Sequence, residues 1–106
     1  MKVFLILITL FLLACSGDEG TAPATTFAVA IDNRVATSYD VYHATAQEGP
    51  WKKIGHALSG MTYWIRGLDT GVTHYLRLVP PGSAADQFHF ERSATSTGAD
   101  VVWVVR

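Results

Sequence analysis

Beyond residue 26 the chain is built of short stretches in which apolar and polar positions alternate with a period of two. Phe27, Val29 and Ile31 share one side of a run whose other side is Ala28, Ala30 and Asp32. Tyr39 and Val41 share a face within 39–44, and His74, Leu76 and Leu78 oppose Tyr75, Arg77 and Val79. A two-residue repeat sends successive side chains to opposite faces of an extended strand, so each run predicts a strand with one face against a core. Seven runs fit this description, at 27–32, 39–44, 51–57, 62–66, 74–79, 87–93 and 101–105. In 87–93 the alternation places Phe88 and Phe90 on one side and Gln87, His89 and Glu91 on the other. Residues 101–105 are apolar on both faces, which predicts a strand covered on both sides. Between the runs stand turn-forming clusters such as Asp32-Asn33-Arg34, Gln47-Glu48-Gly49-Pro50, Ser59-Gly60 and Pro80-Pro81-Gly82. No window carries the 3.6-residue period of an amphipathic helix. Short antiparallel strands that must each bury one face predict two packed sheets, an all-β sandwich of about seven strands.

The first fourteen residues depart from this pattern, because twelve of them are apolar and the stretch 3–13 is interrupted only by Thr9. As a helix those eleven residues reach about 16 Å, against about 30 Å of bilayer hydrocarbon, so the segment has signal-peptide length rather than spanning length. It ends in Leu12-Leu13-Ala14-Cys15, which resembles the lipobox of bacterial lipoproteins at all four positions. That resemblance implies cleavage before Cys15, a diacylglycerol on its sulfur, and a protein anchored in the cell envelope through two or three acyl chains. Ser16 follows the cysteine, which in Gram-negative lipoproteins implies the outer membrane. The alternatives are an ordinary secretory signal and an uncleaved short anchor. The chain thus divides into a signal peptide at 1–14, a lipidated cysteine with a flexible Gly-, Pro- and Ser-containing tether at 15–26, and a sandwich domain at 27–106.

Tyr39-Asp40-Val41-Tyr42, then Gly49-Pro50-Trp51-Lys52, then Gly67-Leu68 with Gly71 and Thr73-His74-Tyr75-Leu76-Arg77-Leu78 resemble the middle of a fibronectin type III domain. The resemblance implies an immunoglobulin-like antiparallel topology. It departs from the family pattern in the seven-residue step from Leu68 to Tyr75, in the missing corner proline, in the missing Trp before Tyr39, and in the little chain left for a first strand. The stretch from 27 to 106 is also similar to small lipoproteins of unknown function that end in a strand like Gly98-Ala99-Asp100-Val101-Val102-Trp103. Neither resemblance supplies a catalytic residue or a cofactor, and a fold by itself does not define a function.

Eight Lys and Arg balance nine Asp and Glu, which leaves no basic field for nucleic acid. The single cysteine allows no intramolecular disulfide. His43, His56, His74 and His89 lie too far apart in sequence for a metal-ligand motif, so neither metal nor cofactor is expected. His89 and Glu91 share a strand face and define a polar site with Arg77, as the alternative to a binding module; a solvated face, with Glu91 as the cross-strand partner of Arg77, is the simpler reading. Ten aromatic residues follow residue 14, more than a small core requires. Trp51, Trp64 and Arg66 are the candidate contact patch, to be weighed against the two Trp filling the core. The expectation is a membrane-anchored, non-catalytic binding or structural module whose partner is an envelope protein or a glycan.

Overall fold

The computed structural model describes residues 25–106; the expected signal peptide at 1–14, Cys15 and most of the expected tether lie outside the described residues. Seven strands form: β1 (Thr26–Asn33), β2 (Tyr39–Ala44), β3 (Lys52–Ala57), β4 (Thr62–Asp69), β5 (His74–Val79), β6 (Phe90–Ala94) and β7 (Val101–Val105). They make a three-stranded sheet in the order β4-β1-β7 and a four-stranded sheet in the order β3-β2-β5-β6. The molecule is a small β-sandwich. Its core is the set of inward residues that the alternation selects: Phe27, Val29 and Ile31 from β1, Tyr39 and Val41 from β2, Leu76 and Leu78 from β5, and Trp103 and Val105 from β7. Burying a Leu or Ile side chain fully contributes about 1.5–3 kcal/mol, so this cluster is the main force holding the sheets together.

One pairing corrects the expected antiparallel topology. β7 runs parallel to β1, with Val29 beside Val101 and Asn33 beside Val105, while β1–β4, β2–β3, β2–β5 and β5–β6 are antiparallel. No described strand precedes β1, and the last strand occupies the place beside it. β7 is therefore an edge strand. Its inner residues Trp103 and Val105 are buried, but Val102 on the other face is 59 % exposed, so the strand is not covered on both sides.

Two further corrections come from breaks in the alternation. β4 does not stop at Arg66, because Gly67 takes a left-handed conformation (φ 77°) and the register against β1 slips between Val29–Ile65 and Phe27–Leu68. This bulge shifts the side-chain phase by one, so that Ile65 and Leu68 both point into the core although they are three residues apart. In the region expected to be a strand from residue 87, a 3₁₀ turn (Ala85–Gln87) comes first and β6 begins only at Phe90. The irregular step separates the two phenylalanines. Phe90 packs edge-on against Tyr39 at 5.8 Å, whereas Phe88 lies over the guanidinium of Arg77.

Candidate functional site

The strand directions fix two ends. β1 enters at Thr26 near the turn at 70–73 and the segment at 95–100, where Gly71 N–H donates to Ser96 O and the Ala28 N–H donates to Asp100 Oδ1 at 2.9 Å. The loops at 34–38, 58–61 and 80–89 lie at the opposite, distal end. Asn33, fully buried, ties that end together. Its Nδ2 donates to Thr37 O and Ala57 O, its Oδ1 accepts from Val35 N–H, and its backbone bonds residues 60 and 61.

The outer face of the three-stranded sheet carries the exposed apolar surface. Ala30 lies between Trp64 on β4 and Val102 on β7 in one cross-strand row. Ala28 and Ala30 are short and buried beneath their neighbours, so Trp64, 41 % exposed, and Val102 stand on either side of a low strip. The Arg66 guanidinium sits 4.8 Å from the Trp64 ring. Two of the three residues of the expected contact patch therefore meet here. Trp51 does not join them; it belongs to the outer face of the other sheet.

On that second face Trp51 and Phe88 flank the Arg77 guanidinium at 4.0 and 4.3 Å, and Arg77 Nε donates to Glu91 Oε2 at 2.8 Å. Arg77 Nη1 also donates to Ala85 O. The cross-strand partnership of Arg77 and Glu91 is present as the strand spacing suggests. His89, the third member of the candidate polar site, instead hydrogen-bonds the Tyr39 hydroxyl through Nδ1 at 3.1 Å and packs edge-on to its ring. Neither Trp51 nor Trp64 fills the core.

Two histidine arrangements arise only from folding. Asp40, nearly buried, accepts from His56 Nδ1 at 2.8 Å and lies 3.7 Å from Lys53 Nζ; His56 itself is exposed. The register Asp40–His56 between β2 and β3 creates this pair. Such a dyad orients an imidazole, but among the described residues no Ser or Thr hydroxyl bonds to His56. The second arrangement is a chain of two rings. His74 Nε2 lies 3.0 Å from Asp69 O, and because a carbonyl only accepts, that nitrogen carries a proton. His74 Nδ1 is then the acceptor for His43 Nε2 at 2.9 Å when both rings are neutral. Burial, and secondly the neighbouring His74, hold the His43 pKa below 6.5. Among the described residues no group of three or more His, Cys, Asp or Glu is placed to hold a metal ion. No described helix is long and apolar enough to cross a membrane.

Sequence alternation carried no signal for these histidine contacts, which join residues on different strands. A cross-strand register for β2–β3 would have brought Asp40 and His56 together, but the bulge between Val41 and Tyr42 obscures it. Comparison with protein-family models finds no match, and comparisons with curated proteins and with solved structures find none either.

Proposed function

We propose that the chain is a lipid-anchored envelope protein whose sandwich is a non-catalytic binding module, meeting a protein partner through the outer face of the three-stranded sheet. The observation that carries the binding part is the strip of Trp64, Ala30 and Val102 with Arg66 stacked beside it. Exposed Trp and Arg are the residue types that dominate interface energetics, and an apolar strip bordered by charge is how protein contact surfaces are built. Leu12-Leu13-Ala14-Cys15 supports the anchor. A ten-residue tether after Cys15 extends at most about 35 Å, so the partner of an anchored sandwich sits close to the membrane.

A site uniting Arg77, Glu91 and His89 has less support. The Arg77 guanidinium is enclosed by two rings and a carboxylate, and His89 is engaged with Tyr39.

The test has two arms. Metabolic palmitate labelling and membrane fractionation of the wild type and Cys15→Ala should show label and membrane association lost together in the variant. A photo-crosslinking residue at position 64 should trap a partner in cells, while one at the exposed turn residue Gln47 should not. A wild type without label removes the anchor, and equal crosslinking at both positions removes the contact surface.

A further inference from the structure

The four sheet edges of the sandwich are not alike. β3 carries Lys52 and Lys53 and a register shift opposite Val41–Tyr42, β4 carries Arg66 and the bulge at Gly67, and β6 is a short strand containing Glu91 and Arg92. Charges, bulges and short length are the devices that keep an exposed edge from pairing with another chain. β7 is as short as β6 but has neither a charge nor a bulge: it reads Val101-Val102-Trp103-Val104-Val105, with regular pairing to β1 throughout.

Its backbone polarity is fixed by one contact. Arg34 N–H donates to Val105 O at 2.8 Å, which turns Val105 toward β1. Alternate residues of a strand direct their N–H and C=O groups to opposite edges, so Val101, Trp103 and Val105 serve β1. Val102 and Val104, together with the flanking Asp100 and Arg106, present theirs at the edge that no described strand covers.

We propose that β7 pairs antiparallel with β7 of a second copy of this chain about a two-fold axis at Trp103, joining the two three-stranded sheets into one. Outward-directed residues must face outward-directed residues, which restricts the register to pairs of even-numbered residues. The register centred on Trp103 sets Val102 against Val104 of the second copy and Asp100 against its Arg106. A register centred on Val102 satisfies the same parity but sets Gly98 opposite Arg106. Charge complementarity selects the first. Arg106 is exposed and forms no ion pair among the described residues, and Asp100 is held in place through one oxygen by the Ala28 N–H. Two-fold symmetry makes each of these contacts twice. The occupant is a second copy because this segment is complementary to itself: acid at one end, base at the other, and apolar residues between. Growth stops at the dimer, since the other edge of the sheet is the bulged β4. The pairing goes beyond the proposed binding function and does not depend on the lipid anchor.

The full chain carrying Val102→Cys and Val104→Cys, oxidised in intact cells and resolved on a non-reducing gel, tests the register. Directly opposed, hydrogen-bonded residues of an antiparallel pair have Cα atoms about 5.5 Å apart, within disulfide range. The double variant should give a dimer band that neither Val102→Cys alone nor the parent chain, which retains Cys15, gives. Adding Arg106→Glu puts two like-charge pairs across the seam and should reduce the band about tenfold, with near-ultraviolet circular dichroism unchanged. No dimer band, a ladder of larger species, equal linking by the single variant, or indifference to Arg106→Glu overturns the proposal. Failure of crosslinking at position 64 leaves these outcomes unaffected, so the two readings fail separately.

Discussion

Replacing Asn33 by Ala should destabilise the sandwich by about 3 kcal/mol, a large effect for a polar residue at a position that reads as a turn. The magnitude follows from what the side chain satisfies. Asn33 is wholly buried, Nδ2 donates to Ala57 O and to Thr37 O at 2.9 Å each, and Oδ1 accepts from Val35 N–H at 3.1 Å. Ala57 is itself fully buried at the end of β3, where it pairs with Tyr39, so the bond from Asn33 to its carbonyl would be lost with no water to replace it, at a cost of about 2 kcal/mol including the space the amide vacates. Thr37 and Val35 lie in a surface loop where water can substitute, and the bonds to them are worth about 0.5 kcal/mol each. Urea unfolding followed by tryptophan fluorescence provides the assay, with the buried Trp103 as a reporter. With a slope of about 1 kcal/mol per molar urea, the midpoint should fall by about 3 M. Asn33→Asp sharpens the test, because it keeps the shape but points a carboxylate at two carbonyl oxygens. At neutral pH it should cost at least as much as Ala, and it should recover relative to Ala in acid, where the protonated carboxyl can donate one bond. A midpoint change under about 1 M for Ala, or an Asp variant as stable as the parent at neutral pH, would refute the reasoning.

Three other outcomes are expected. A Cβ at Gly55 would collide with the Tyr63 ring and hydroxyl, which donates to Ile54 O, so Gly55→Ala should cost about 1–3 kcal/mol. Most of that loss should vanish when Tyr63→Ala is made as well, and denaturation of the two single variants and the double reads this non-additivity. Because the folded state holds the His43 pKa below 6.5, the unfolded chain binds a proton that the folded one refuses as the pH drops past that value. The stability contributed by neutral His43 is complete above pH 6.5 and is lost on acidification toward the lowered pKa; urea midpoints across this range should slope downward in acid, and His43→Gln should remove that component of the slope. A double-mutant cycle of Arg77→Met with Glu91→Gln should give a coupling of about 1 kcal/mol, and Trp51→Ala should weaken it by freeing the guanidinium to swing away. A coupling near zero would mean the stacked geometry contributes nothing to the pair.

Alternation made the strands legible because a half-buried strand imposes a period of two on its own residues, a purely local constraint. It also exposed the Arg77–Glu91 pair, since the loop between β5 and β6 sets their register by simple counting. What it could not reveal depends on neighbours. The bulge at Gly67 is a one-residue change of phase, and a glycine after Arg66 reads as the end of a strand when nothing marks the buried Leu68 beyond it. Phe88 and Phe90 look equivalent until the 3₁₀ turn separates them. Trp51 and Trp64 form one patch only if their strands share a sheet face; the order β4-β1-β7 against β3-β2-β5-β6 places them on opposite sides of the sandwich. The apolar outer residues of β7 suggested cover on both faces because sequence alone does not distinguish a central strand from an unguarded edge.

The parallel pairing of β7 with β1 connects these surfaces. A chain leaving β6 through a tight hairpin would add an antiparallel strand beside it, on the four-stranded sheet. Residues 95–100 instead cross to the other sheet, held at Ser96 O by Gly71 N–H and at Asp100 by Ala28 N–H. That crossing brings Val101–Val105 in at the same end as Thr26 and beside the small residues Ala28 and Ala30. Because those two alanines cannot rise above the backbone, Trp64 and Val102 stay exposed on either side instead of being buried by a bulky central strand. Because β7 fills the outermost place in the order β4-β1-β7, its outward backbone groups meet no further strand among the described residues. One topological choice therefore produces both the apolar strip proposed to meet a partner and the β7 edge proposed to meet a second copy. In the dimer the strip of each copy abuts the common seam, with Val102 of one beside Val104 of the other. Dimerisation would thus present two Trp64–Arg66 contacts on a single continuous sheet face, and a partner with a repeated surface would bind it with the gain in avidity that two linked sites provide.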